Sequence, residues 1–266
     1  MRADGLHVVE TGEGVPVVLL HGLTATHRYV VMGSSLLERG GHRVLTYDAR
    51  GHGRSQPADA DAGYGYPALT ADLLAVMDAA GIDRAVLAGA SMGAHTAAQA
   101  AIEHPARVAG IVAITPAFDP SAPASAASLQ RWDALSAGLR EGGVEGFLAA
   151  YGTPDVPAAW QERLIDVMRQ RLDQHEHPAA VADALHATPR SRPFASWDDL
   201  SAIKIPAVVV ADRDEADPGH PLAVGEAWAQ AIPGARLVVE QPGQSPIAWQ
   251  GSQLSKVIAD VARDAG

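Results

Sequence analysis

The chain contains no cysteine at all. Disulfides, thiolate nucleophiles and thiolate metal ligands are therefore excluded. It also lacks a basic surplus, with 20 Lys and Arg against 31 Asp and Glu, a formal charge of −11. Polyanion binding needs clustered cations that displace counterions, so nucleic acid is not an expected partner. Long hydrophobic runs are missing too, and none approaches the roughly eighteen apolar residues of a membrane span. The segment Met1 to Gly14 carries Asp4, Glu10 and Glu13 where a secretory signal would have an apolar core. These absences lead us to expect a cytoplasmic protein that does not associate with membranes.

What is present fits one folded unit. The 266 residues are 47% apolar and 19% charged, with the charges spread rather than blocked, enough material for a buried core. Short apolar runs at Pro16–Leu20, Arg43–Tyr47, Arg84–Gly89, Val108–Ile114, Ala207–Ala211 and Ala235–Val239 read as buried strands. Pro67–Ala80, Ser91–His104 and Pro221–Ala231 have helical length and spacing. Strands buried on both faces and separated by helices predict a mostly parallel, doubly wound α/β sheet, with ligands at the strand C-terminal ends. Between Phe118 and Pro193 the alternation stops, and helical patterns punctuated by proline take over. The expected organisation is thus a core of residues 1–117 and 194–266 with a helical cap inserted at 118–193, reading as a lid.

Gly89-Ala90-Ser91-Met92-Gly93 matches G-x-S-x-G, in which small flanking residues permit a sharp strand-to-helix turn that raises the serine hydroxyl. The context agrees, since Ala85–Ala88 is apolar and Ala94–Ala101 is a helical stretch of small residues. Free N–H groups at the start of that helix point to Met92 N–H as one oxyanion donor. The second is expected from the loop after the first apolar run, where Gly22 lets backbone pass close to a substrate and Leu23 N–H is the candidate. His21 reads as a buried structural imidazole.

Together, His21-Gly22, Asp48-Ala49-Arg50-Gly51-His52-Gly53-Arg54-Ser55 and Gly89 to Gly93 resemble the α/β-hydrolase superfamily over nearly the whole chain. That resemblance implies the fold, a helical cap and a serine esterase or lactonase that needs no cofactor and no metal. It casts Asp48, Arg50 and His52 as scaffolding. It also places a catalytic acid after the penultimate strand, where Asp212, Asp214, Glu215 and Asp217 compete. The family spacing selects Asp214, leaving Asp217 as a cap before the Pro-led helix.

The same resemblance implies a histidine after the last strand, yet Gln244 stands there. A carboxamide has no useful basicity and cannot take the serine proton. Three explanations stay open: an engineered histidine-to-glutamine change in an otherwise normal esterase, another imidazole serving as base, or a pocket that has lost hydrolysis and only binds ligand. Of the eleven histidines, His220 on the loop leaving the same strand as Asp214 is the best placed; His95 is expected below the serine, and His186 could reach in only from the cap. Trp132, Phe147 and Trp160, with Met168, are candidates for an apolar substrate pocket or for packing of the cap itself. A small-molecule ester or lactone is the expected substrate, C–C bond hydrolysis and cofactor-free peroxidation are alternatives on this scaffold, and a homodimer is compatible with the sequence.

Overall fold

The computed structural model describes residues 2–59, 63–122, 124–241, 243 and 249–266. Among these, eight strands form one sheet: β1 (Arg2–Ala3), β2 (Leu6–Thr11), β3 (Val15–Leu20), β4 (His42–Tyr47), β5 (Ala85–Ala90), β6 (Val108–Ile114), β7 (Ala207–Ala211) and β8 (Arg236–Val239). Their order across the sheet is β1-β2-β4-β3-β5-β6-β7-β8. Pairing is antiparallel for β1–β2 and β2–β4 and parallel from β4 through β8. The six apolar runs expected as strands are all present. The two N-terminal strands were not anticipated, because β2 alternates buried and half-buried residues and ends exposed, as an antiparallel strand near a sheet edge does.

Side-chain alternation divides the core into two layers. Val18, Leu20, Leu87, Ile111, Ala113 and Val209 face one side. They pack under α2 (Tyr66–Ala79), α3 (Met92–Glu103) and α8 (Leu222–Ala231), which contribute Leu73, Met77, Ala97 and Trp228. Val17, Leu19, Val86, Val112, Val208 and Val210 face the other side. There they meet α1 (Leu36–Arg39) and α9 (Gly251–Ala265) through Leu37, Leu254, Ile258 and Val261. Each Val, Leu, Ile or Met among them stabilises the fold by about 1.5–3 kcal/mol on full burial, so a polar substitution in either layer is costly.

Between β6 and β7, adjacent in the sheet, the chain detours through α4 (Ala126–Tyr151), α5 (Ala158–Leu172), α6 (Pro178–Ala187) and the short α7 (Trp197–Leu200). Ser125 caps the start of α4 by accepting a hydrogen bond from Ser128 N–H at 3.1 Å. At Gly143 the helix breaks, with φ of 61°, a conformation glycine adopts without steric cost. Leu135, Leu139, Phe147, Leu172, Val181 and Leu185 give this insertion a core of its own. Phe147 is 3% exposed inside that core, so the structure corrects its assignment to the substrate pocket: its apolar spacing reports helix packing. Trp132 packs against the same cluster, and Trp160 is half-buried in the first turn of α5.

The segment joining α5 to α6 ties the insertion to the sheet. Glu176 N–H donates to Gly53 O at 2.8 Å, and Gln174 Nε2 donates to the Tyr29 hydroxyl at 2.6 Å. His175 receives Gly53 N–H on Nδ1 at 2.8 Å and donates from Nε2 to Thr24 O at 3.2 Å. One imidazole therefore joins the insertion, the loop after β3 and the turn after β4.

Candidate active site

Strand β5 ends in a backbone that few residues accept. Ser91 has φ of 49° and ψ of −111°, and α3 begins at the next residue. Close packing explains the flanking glycines: a Cβ on Gly93 would come within 2.2 Å of Leu20 O. Only a residue without a side chain lets α3 start so near β3, and the turn lifts Ser91 to the C-terminal edge of the sheet, where it is partly exposed.

The loop after β7 brings an imidazole to that hydroxyl. His220 Nε2 lies 2.9 Å from Ser91 Oγ, and His220 Nδ1 lies 2.7 Å from Asp217 Oδ2. Acid and imidazole are three residues apart in one turn, in which Asp217 N–H donates to Arg213 O and His220 N–H donates to Asp217 O. With Nδ1–H donated to the carboxylate, Nε2 carries the lone pair that faces the serine proton. Burial acts to lower the His220 pKa, but the charge and hydrogen bond of Asp217 outweigh it and leave it raised. Asp217 is also buried, an effect that acts to raise it, and the facing His220 brings it net below the ordinary carboxylate value.

Asp214 is not the carboxylate that meets this imidazole. Its Oδ1 accepts Leu222 N–H at 2.7 Å, at the start of α8, and its side chain is exposed. The two carboxylates have thus exchanged the roles expected of them: Asp214 caps the helix and Asp217 holds the imidazole. Register within a loop follows its turns, and family spacing did not foresee the turn from Arg213 to Asp217. Gln244 lies outside the described residues. Glu240 steadies the base of the loop by accepting Arg213 N–H on Oε1 at 2.8 Å. Asp212 is pushed up to about 7, by burial first and then by the charges of Asp217 and Glu240.

The loop after β3 passes beside the serine. A Cβ on Gly22 would stand 3.5 Å from Ser91 Cβ and 3.4 Å from Ala90 O, ordinary contact distances that show how closely this loop runs beside the serine turn. Leu23 follows, packing against the insertion core and against the cluster that includes Ala49, Tyr66 and Met92. Among the described residues, the Leu23 and Met92 amide N–H groups have no hydrogen-bond partner. His21 fixes the base of this loop, donating from Nδ1 to Gly22 O at 2.8 Å and accepting Ala49 N–H on Nε2 at 2.9 Å. Burial lowers its pKa to about 4, so it is a neutral structural imidazole.

His95 and His186, the other imidazoles considered as bases, are engaged elsewhere. His95 accepts Ala117 and Phe118 N–H on Nε2 at 3.0 and 3.1 Å and meets the Tyr66 hydroxyl through Nδ1 at 2.8 Å. Burial lowers it to about 3. Instead of addressing Ser91 Oγ, it holds the backbone where the insertion departs. His186 is paired with Asp133 on an exposed face of the insertion. Asp48 accepts His27 N–H, His27 Nδ1–H and Arg54 N–H, Arg50 grips Asp72 with two nitrogens, and His52 bonds Arg50 O, all as turn scaffold. His7, His27 and Asp48 bring ligand atoms within 4.8 Å of one another, the one group among the described residues with that geometry, but both Asp48 oxygens are already engaged in the turn.

Sequence reasoning missed Asp217 as the partner of His220, and it missed His175. The i, i+3 spacing of Asp217 and His220 was the available signal for the first. Nothing local marked His175, whose partners are more than a hundred residues away.

A hydroxyl within reach of an oriented imidazole, beside two free amide donors, is chemistry for attack on a carbonyl. Known proteins share the frame. The chain is 31% identical over 205 residues to a putative carbamate hydrolase of Variovorax paradoxus, covering 77% of this chain and 75% of that protein. A thermophilic esterase from Thermogutta terrifontis superposes with a TM-score of 0.78 at 26% identity, over 98% of this chain and 93% of the esterase. An enol-lactonase from Burkholderia xenovorans gives 0.72 at 25% identity, over 98% of both chains. No helix of the described residues is long and apolar enough to cross a membrane. Residues 15–252 match the model of the α/β hydrolase fold family, and the chain belongs to that family of hydrolases.

Proposed function

We propose that the protein is a serine hydrolase of small carboxylic esters or lactones, with Ser91 as nucleophile, His220 as general base and Asp217 as the group that orients it. One observation carries this function: the continuous chain from Ser91 Oγ to His220 Nε2 at 2.9 Å and from His220 Nδ1 to Asp217 Oδ2 at 2.7 Å. Of the three explanations for Gln244, the natural rearrangement is the one this contact favours. The helices of residues 118–193 serve as the cap over the site.

In the reaction Ser91 Oγ bonds to the carbonyl carbon while its proton passes to His220 Nε2. The oxyanion is held by Leu23 and Met92 N–H. Collapse of the tetrahedral intermediate breaks the bond to the leaving oxygen, which takes the proton from His220, and an acyl group stays on Ser91. Water then repeats the sequence, giving its proton to His220 as it attacks, and the acid departs as Ser91 recovers its hydrogen. Asp217 keeps its charge throughout and stabilises the imidazolium formed at each step.

A fluorophosphonate probe and an activated short-chain ester test this directly. Wild-type protein should label at Ser91 and turn over, and His220→Ala should lose on the order of 10⁴–10⁶ in kcat. Full activity in His220→Ala, or a Ser91 that never labels, would remove the assignment.

A further inference from the structure

The insertion carries a guanidinium, that of Arg171, with a buried nitrogen that lacks a hydrogen-bond partner among the described residues. Arg140, Arg169 and Arg190 each meet a carboxylate on the insertion's exposed faces. Arg171, in the last turn of α5, meets none. Its Nε is buried without a hydrogen-bond partner, and among the described residues no carboxylate oxygen lies within 4.0 Å of its nitrogens. The guanidinium carbon lies over the Tyr29 ring, 5.3 Å from its centroid. Yet it stands close enough to the proposed catalytic loop for its charge to act on both Asp217 and His220. A phenol without a hydrogen-bond partner among the described residues, Tyr151 at the end of α4, feels the charge of Asp217 from the same insertion.

A desolvated cation without a counter-ion is costly, and stacking on tyrosine offsets only part of that cost. An anion arriving at Arg171 would supply the partner that its buried Nε lacks. The fork of a guanidinium matches a carboxylate in two parallel hydrogen bonds. Nearby Asp217 sets a limit on the ligand, because a phosphate dianion would add two like charges beside it. The net charge of −11 works against any anion at long range, so the selectivity has to come from this local group.

We propose that Arg171, assisted by the Tyr151 hydroxyl, receives a carboxylate on the substrate, so that the protein acts preferentially on monoanionic, carboxylate-bearing esters or lactones. This rests on the hydrolase function proposed above and adds a substrate class to it.

The test compares p-nitrophenyl butyrate with the mono-p-nitrophenyl ester of glutaric acid, which presents a carboxylate at the far end of a similar acyl chain. In Arg171→Met the ratio of kcat/KM for the anionic ester to that for the neutral ester should fall about 30- to 100-fold, mainly through KM, the size expected for losing a hydrogen-bonded charge partner. Arg171→Lys should recover part of that loss. A second readout needs no turnover: Ser91→Ala titrated calorimetrically with methyl hydrogen glutarate should bind it, and Ser91→Ala/Arg171→Met should not. An unchanged ratio in Arg171→Met overturns the proposal. So does an equal loss on both esters with a moved acid limb, which would make Arg171 a tuner of His220 alone. If the wild type cleaves neither ester while Ser91→Ala binds methyl hydrogen glutarate through Arg171, the hydrolase function fails and the carboxylate site stands.

Discussion

The exchange between Asp214 and Asp217 gives the sharpest prediction. Replacing Asp217 by Asn keeps the shape, removes the charge and leaves one acceptor oxygen where the carboxylate had two, beside the His220 Nδ1–H that Asp217 Oδ2 meets at 2.7 Å. A carboxamide can turn its NH2 to the ring, which forces the proton onto Nε2 and leaves no lone pair for the 2.9 Å contact with Ser91 Oγ. The cost of such a wrong tautomer is about 10⁴ in kcat, or roughly 5.4 kcal/mol of transition-state stabilisation. The activity that survives should follow a lower His220 pKa, because the charge that raises it is gone. Asp214→Asn removes only an exposed charge, and its amide oxygen can still accept Leu222 N–H. It should cost about 0.5–1 kcal/mol of stability and less than about tenfold in kcat. Initial rates on p-nitrophenyl acetate between pH 5 and 9, with a thermal melt of each variant, decide the matter. Wild-type turnover in Asp217→Asn together with collapse in Asp214→Asn would refute the assignment and return the acid to the position that family spacing suggests.

The acid limb of kcat/KM should have its midpoint above the ordinary imidazole value of about 6.5, since His220 is net raised and only its neutral form accepts the serine proton; a midpoint well below that value in a pH–rate profile would contradict the pairing. Ser91→Gly should be inactive yet more stable to urea than Ser91→Ala, because glycine relieves a φ of 49° that costs about 1–3 kcal/mol in other residues. His95 is depressed to about 3, so the unfolded chain binds the extra proton between its ordinary value and that one. Stability contributed there is complete above about pH 6.5 and declines as pH falls, and His95→Gln should flatten that decline by up to about 1.4 kcal/mol per pH unit in denaturant titrations. Asp212, raised to about 7, carries the opposite sign: the fold loses stability as pH rises through that value, so Asp212→Asn should raise the melting temperature at pH 8 more than at pH 5.

The sheet was legible because a strand buried on both faces must be a continuous apolar run, and six such runs stand between helix-length segments. The turn at Ser91 was legible for a similar reason, since Gly93 has no room for a side chain against Leu20 O and the composition records it. Strand β2 was not, because a partly solvated strand admits His7, Glu10 and Thr11 and looks like a loop. The acid was misplaced because side-chain direction in a loop depends on turns closed by backbone hydrogen bonds, such as Asp217 N–H to Arg213 O, that composition does not display. Phe147 was ambiguous for a deeper reason: a helix core and a ligand pocket ask for the same apolar spacing, and only coordinates tell which one a side chain fills.

Acid and imidazole share a single turn ahead of α8, and this alters how the molecule can vary. When two proton-handling groups sit at opposite ends of a long stretch of chain, each can drift or be lost without the other. Here one short cassette, anchored by Glu240 at its root and Asp214 at its exit, holds both. Under the assignment proposed above, exchanging that one loop moves both groups together.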